Sequence, residues 1–179
     1  MKLLMENWRK YLRENISSIT DIVDAVSQMS LEEFLANPPE GYAYNPDVSY
    51  MGQHHKSKQG ETINLGPSFF KLPVGRRRKG LLYHELGHSL MTNFMKDWKD
   101  VFEPFRINRD VEPLSAASRW ENDFGFEDRV EEVLADAYSL LMQSSELPYE
   151  SEKYLNLFAQ IKNIAPKVGI PIPSVLGGL

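Results

Sequence analysis

Leu82, Leu86, Leu90 and Phe94 recur every four residues, and the stretch just before them has no such rhythm. Side chains four apart share one face of an α-helix, so a helix is expected from about residue 79 to 98. Residues 41–75 are instead punctuated by Gly, Pro, Tyr and Asn around short β-prone runs at 48–51, 61–65 and 69–72. These read as a small antiparallel sheet. A short sheet followed by a long helix, with further helical segments behind it, predicts an α+β fold.

The flanking segments agree with that class. Leu4, Trp8, Tyr11 and Leu12 share a face of an expected helix over residues 1–15, and Ile19, Ile22, Val23 and Val26 mark a second. Ser30-Leu31-Glu32-Glu33 has the capping-box pattern, and the helix it opens must stop by Asn37 because Pro38 and Pro39 follow. Residues 101–126 are irregular, and a connection of that length inside a compact domain is usually functional. Helices are expected at about 127–144 and 150–163, and the tail 169–179, with two prolines among its residues, reads as extended. One domain over 1–179 follows: a helical segment (1–40), a β-rich part (41–75), the central helix (76–100), a connection (101–126), C-terminal helices (127–168) and the tail.

The chain has no cysteine, which excludes disulfides, thiolate metal sites and a cysteine nucleophile together. Any transition metal must be held by histidine and carboxylate, and there are only 4 histidines: His54, His55, His84 and His88. Two of them fall in His84-Glu85-Leu86-Gly87-His88, on the expected central helix. Positions i and i+4 project from one helical face, so both imidazoles can reach a single Zn²⁺. Glu85 sits one step around, beside the metal and not on it, where it can move a proton from an attacking water to a leaving amine. Leu86 can pack inward, and Gly87 permits close approach of another element. A later helix offers Glu132-Val133-Leu134-Ala135-Asp136.

These two segments together resemble the zincin metallopeptidases, specifically the gluzincin branch that includes thermolysin. That branch carries H-E-x-x-H on one helix and E-x-x-x-D, often E-x-x-A-D, on a later one. The resemblance covers the organisation of residues 60–140. It implies one Zn²⁺ per chain held by His84, His88 and Glu132, with Glu85 as catalytic base and Asp136 supporting a metal histidine. It also implies a zincin-like arrangement, with the small sheet packed on the active-site helix. Peptide or protein substrates would lie in a cleft between sheet and helices, paired to an edge strand for which 61–65 is the best candidate. The metzincin branch is excluded, because Met91 and Phe94 stand where it needs Gly and His. The gap from His88 to Glu132 is longer than in thermolysin, and the 101–126 connection absorbs it. The oxyanion donor stays open among Tyr149, His54 and His55; Tyr138 is set to point away from the Glu132 face.

Adjacent helical residues point about 100° apart, so only one of Glu131 and Glu132 can face the metal, and Glu132 is the expected ligand. The i+4 neighbour of Glu131 is Ala135, whereas Glu132 has Asp136 beside it. His54 and His55 otherwise read as a solvated loop. The run Arg76-Arg77-Arg78-Lys79 reads as part of the loop before the helix, paired with acidic residues or solvated, or as contacting an acidic partner or substrate. The aromatics Trp98, Phe102, Phe105, Trp120, Phe124 and Phe126 read as core or as the lining of a hydrophobic pocket. The tail 169–179 is apolar and extended enough to lie in a cleft and hold the enzyme latent.

Charge and hydropathy narrow the rest. A net charge of −5 gives no basic footprint for nucleic acid, and no apolar run is long enough to span a membrane. Met1-Lys2-Leu3-Leu4-Met5 starts like a signal peptide, but Glu6, Asn7 and Arg9 interrupt it, so a cytoplasmic location is expected. The opening residues also resemble leaders of phage virion proteins processed after L-x-E tripeptides, as in Leu4-Met5-Glu6 and Leu12-Arg13-Glu14. Leu31-Glu32-Glu33 fits equally, and a docking helix is the simpler expectation. The rival to a peptidase is a non-catalytic metal-binding or regulatory protein that keeps the zincin scaffold. Glu85 speaks against it, since a purely structural zinc site has no need of a base.

Overall fold

The computed structural model describes residues 18–48, 50–57, 60–91 and 126–179. The expected helix over 1–15, the run of the central helix towards Trp98 and nearly all of the 101–126 connection lie outside these residues. Packing divides the chain into two compact units, with the boundary between Leu82 and Tyr83.

In the first unit, helix α1 (Ile19–Gln28) begins at a capping box. The Ser18 hydroxyl accepts the Asp21 backbone N–H, and the Asp21 carboxylate accepts the N–H of Ser18. Helix α2 (Leu31–Ala36) opens on the same device, built from Ser30 and Glu33 as the sequence predicts, and ends at Asn37 ahead of the prolines. Val23, Val26 and Phe34 are turned fully inward from these two helices.

Three strands follow: β1 (Tyr42–Tyr44), β2 (Gly52–Ser57) and β3 (Gly60–Leu65), in the order β1-β3-β2. The β2–β3 pair is antiparallel with His54 opposite Ile63, but β1 runs parallel to β3 with Tyr42 opposite Ile63. The sheet is therefore mixed, not antiparallel as expected. β3 is its central strand: residues 60–65 pair with β2, and Ile63, Asn64 and Leu65 pair with β1 as well. That segment cannot be a substrate-pairing edge.

Two strand expectations also shift. Residues 48–51 precede β2, whose sequence Gly-Gln-His-His-Lys-Ser has little β propensity and becomes a strand through its pairing with β3. Residues 69–72 fall largely in helix α3 (Pro67–Lys71), because Pro67 stands at its first position, where a fixed φ and a missing N–H are no handicap. Gly66 precedes it at a crowded point: a Cβ there would lie 2.4 Å from the Tyr50 carbonyl oxygen.

Helix α4 (Arg76–Gly87) starts earlier than expected, so the basic run opens the helix instead of preceding it. Arg78 is buried. Its guanidinium donates to the carbonyls of Met29 at 2.6 Å, Phe70 at 2.8 Å and Leu72 at 3.0 Å, and lies 5.3 Å from the centre of the Phe69 ring. Met29 and Leu72 are the C-caps of α1 and α3, so one cation satisfies carbonyls that the ends of two helices leave unpaired. Lys79 pairs with Asp24 at 2.6 Å. Arg76 and Arg77 remain exposed.

The second unit holds the last turn of α4, a 3-10 turn at His88–Leu90, helix α5 (Phe126–Gln143), helix α6 (Glu152–Ile164) and 3-10 turns at Ala165–Val168 and Ser174–Gly178. Leu134, Ala137, Tyr138 and Leu141 form the inward stripe of α5, and Leu157, Phe158 and Ile161 that of α6, and the two helices pack on one another. Helix α5 also packs on the His88–Leu90 turn and on the last 3-10 turn. The tail is thus part of this unit's core: Leu176 is fully buried, Ile170 nearly so, and the Tyr138 hydroxyl donates to the Pro171 carbonyl at 2.9 Å. Among the described residues no helix is long and apolar enough to cross a membrane.

Candidate metal centre

The end of α4 and the third turn of α5 meet at Gly87. A Cβ on Gly87 would lie 2.6 Å from Ala135 Cα and 3.1 Å from its carbonyl oxygen, so only glycine permits this helix separation. On α4 and its continuation, His84 and His88 stack edge to face with ring centroids 4.9 Å apart. On α5, Glu131, Glu132 and Asp136 lie beside the buried stripe that carries Leu134 and Ala135.

The contact between the helices sorts the imidazole nitrogens by role. His84 Nδ1 faces Asp136 Oδ1 at 2.8 Å, and His88 Nδ1 faces Glu131 Oε1 at 3.0 Å. A carboxylate accepts, so each Nδ1 carries the proton and donates it. The Nε2 atoms both turn towards Glu132, whose Oε2 is 3.2 Å from His84 Nε2 and whose Oε1 is 3.8 Å from His88 Nε2. Ligand atoms of His84, His88 and Glu132 all lie within 4.8 Å of one another and could hold a metal ion. Two imidazoles and a carboxylate suit a first-row divalent ion. The fit goes beyond donor type: both Nδ1 atoms are occupied by carboxylates, which leaves the Nε2 lone pairs as the available donors.

Glu85 stands apart from this trio. Its side chain is only 6% exposed, and its Oε2 is 4.0 Å from His88 Nε2. Glu132 is the open member, its side chain 47% exposed.

The electrostatics of the metal-free centre follow from these contacts. Burial alone would lower the His84 pKa, but hydrogen bonds to Asp136 and Glu132 and the negative charge of Asp136 and Glu85 outweigh it and push it up to about 10. Burial acts to raise the Glu132 carboxyl, yet the hydrogen bond from His84 and the positive charge of His88 and His84 hold it below its usual range. Without metal, His84 is a cation clamped between Asp136 and Glu132.

The structure brings His84, Glu85, His88, Glu132 and Asp136 together, and adds Glu131, to which the sequence reading gave no task. The signal for Glu131 lies in the helix crossing and not in the sequence. The two helices pass in opposite directions here, since His84 meets Asp136 while the later His88 meets the earlier Glu131. A partner for His88 therefore belongs just over one turn before Asp136. The oxyanion candidates have partners of their own. Tyr149 stacks on Tyr154 at 4.6 Å. His54 and His55 lie on β2, where His54 Nε2 is 3.4 Å from Glu61. Tyr138 is buried and turned to the tail, in line with its expected direction. Comparison with protein-family models, curated proteins and solved structures finds no match to this chain.

Proposed function

We propose that this protein is a zinc-dependent peptidase that hydrolyses peptide bonds in peptide or protein substrates, with Glu85 as the general base. The observation that carries this reading is the division of labour around the two histidines. Three donors converge on one point, and a fourth, buried carboxylate stands next to that point without joining them. A purely structural zinc site closes with four protein ligands and has no use for such a neighbour.

His84, His88 and Glu132 would hold the ion. When bound, Zn²⁺ supplies a Lewis acid that polarises a carbonyl and acidifies water towards about pKa 7. Glu85 would accept the proton of the attacking water and return it to the leaving nitrogen, one carboxylate serving as base and then as acid. Its burial favours this work, because a carboxylate shielded from bulk water has less hydration shell to shed before each transfer and keeps a fixed aim. Asp136 would keep the His84 ring in the tautomer that presents Nε2.

The test is Glu85→Gln in the full chain. The amide is isosteric but cannot take a proton, so about one zinc per chain should remain after dialysis while cleavage of an unbiased peptide library is lost. Zinc retained together with substantial cleavage would remove Glu85 as the base. Zinc retained in the wild type with no cleavage of any peptide would favour the non-catalytic metal-binding reading.

A further inference from the structure

Glu131 is the carboxylate at this centre to which the metal set, the proton transfer and the support of His84 give no task, and its geometry is specific. Its Oε1 lies 3.0 Å from His88 Nδ1, on the side of the ring opposite the shared Nε2 site. It is adjacent to Glu132 in sequence, and neighbouring helical residues point about 100° apart. Glu131 and Glu132 thus address the two nitrogens of the same imidazole: Glu132 Oε1 is 3.8 Å from His88 Nε2 while Glu131 holds Nδ1. His84 has the same pattern, with Asp136 on Nδ1 and Glu132 on Nε2.

We infer that Glu131 is a positioning residue for His88, holding its ring and its Nδ1-protonated tautomer so that Nε2 faces the metal point. This inference rests on the metal-site reading above and adds a second carboxylate–histidine pair to it. Each histidine then has its own carboxylate partner, and both come from the helix that supplies Glu132. One rigid element thereby sets the aim of two donors on another. A ring with no partner on Nδ1 can rotate about its side-chain bonds or take the other tautomer, and in either case the donor atom leaves the site. Glu131 is more open than Asp136, with 40% of its side chain exposed against 21%. Water can partly replace it, so its effect belongs near the lower end of the range for such partners, about 10–100-fold in metal affinity.

The experiment uses the full chain and four variants: Glu131→Ala, Glu131→Gln, Glu132→Ala and Asp136→Ala. Zn²⁺ affinity is measured by competition with a chromophoric chelator, bound Co²⁺ by its visible absorption, and the His88 ring by isotope-edited NMR. Glu131→Ala should weaken Zn²⁺ binding about tenfold, alter the Co²⁺ spectrum and abolish the hydrogen-bonded Nδ1–H signal of His88. Glu131→Gln keeps an acceptor without the charge, so it should restore the ring signal and bring affinity to within about fivefold of wild type. A merely structural role would not be rescued in this way.

Wild-type affinity, Co²⁺ spectrum and ring signal in Glu131→Ala overturn the inference while leaving the metal site intact. Metal lost outright in Glu131→Ala but kept in Glu132→Ala makes Glu131 the ligand and also overturns it. If neither Glu131 variant folds, the residue is structural and the positioning role falls. A wild-type chain that takes up neither ion overturns the metal-site reading itself.

Discussion

Replacing Gly87 with alanine puts two physical effects of opposite sign against each other. Gly87 has ordinary helical angles, φ −60° and ψ −29°, so alanine meets no backbone strain there. By helix propensity alone the change should stabilise the protein by about 1 kcal/mol. The new Cβ, however, would lie 2.6 Å from Ala135 Cα, 3.1 Å from Ala135 O and 3.2 Å from Tyr138 Cβ. Carbon atoms rest at about 3.5–4.0 Å, so α5 must retreat by about 1 Å. The obstacles are backbone atoms and the root of a fully buried tyrosine, and no flexible side chain can move aside instead. Overpacking of this kind costs about 1–3 kcal/mol, which offsets or outweighs the propensity gain, so a net loss of up to about 2 kcal/mol is expected. The same retreat carries Glu131, Glu132 and Asp136 away from both histidines, and a displacement of about 1 Å can cost about 100-fold in rate. Urea unfolding of metal-free protein, Zn²⁺ competition and peptide cleavage measure the three effects. A Gly87→Ala protein more stable than wild type with unchanged zinc affinity would refute the close-approach account, since propensity alone would then be operating.

Two further outcomes are expected. The raised pKa of His84, about 10 without metal, means that Zn²⁺ must displace a proton from Nε2 at neutral pH. Calorimetric binding heats should depend on buffer ionisation enthalpy, with about one proton released, and affinity should climb from pH 7 to 9; buffer-independent heats would refute this. For the metal-free chain the sign is the reverse. A folded pKa above the unfolded value of about 6.5 gives stability that is complete below pH 6.5 and is lost as pH rises through about 10. The tail offers the third test. Leu176→Ala should destabilise the chain by about 2–5 kcal/mol through the cavity it leaves, and cleavage should not rise. Unchanged stability with faster cleavage would instead revive a latency role for residues 169–179.

Sequence alone determined what local geometry controls. An α-helix places i and i+4 on one face whatever surrounds it, so the pairing of His84 with His88, and of Glu132 with Asp136, followed from spacing. The Ser30 capping box and the stop before Pro38 were equally local, because the groups involved lie within one turn. The tertiary structure decided everything that depends on register between segments. Phe69 and Phe70 carry β propensity, yet Gly66 and Pro67 start a helix there and buried packing keeps it. β3 is the expected substrate-pairing edge but lies between β1 and β2, since strand order is set by which distant segments find partners. Arg78 read as one of four surface cations until the ends of two helices offered it their carbonyls. Glu131 had no task while its own helix was considered alone. It acquired one only when α5 docked against the glycine at the end of α4, because that crossing sets which carboxylate stands opposite which ring nitrogen, and no spacing within a single helix encodes it.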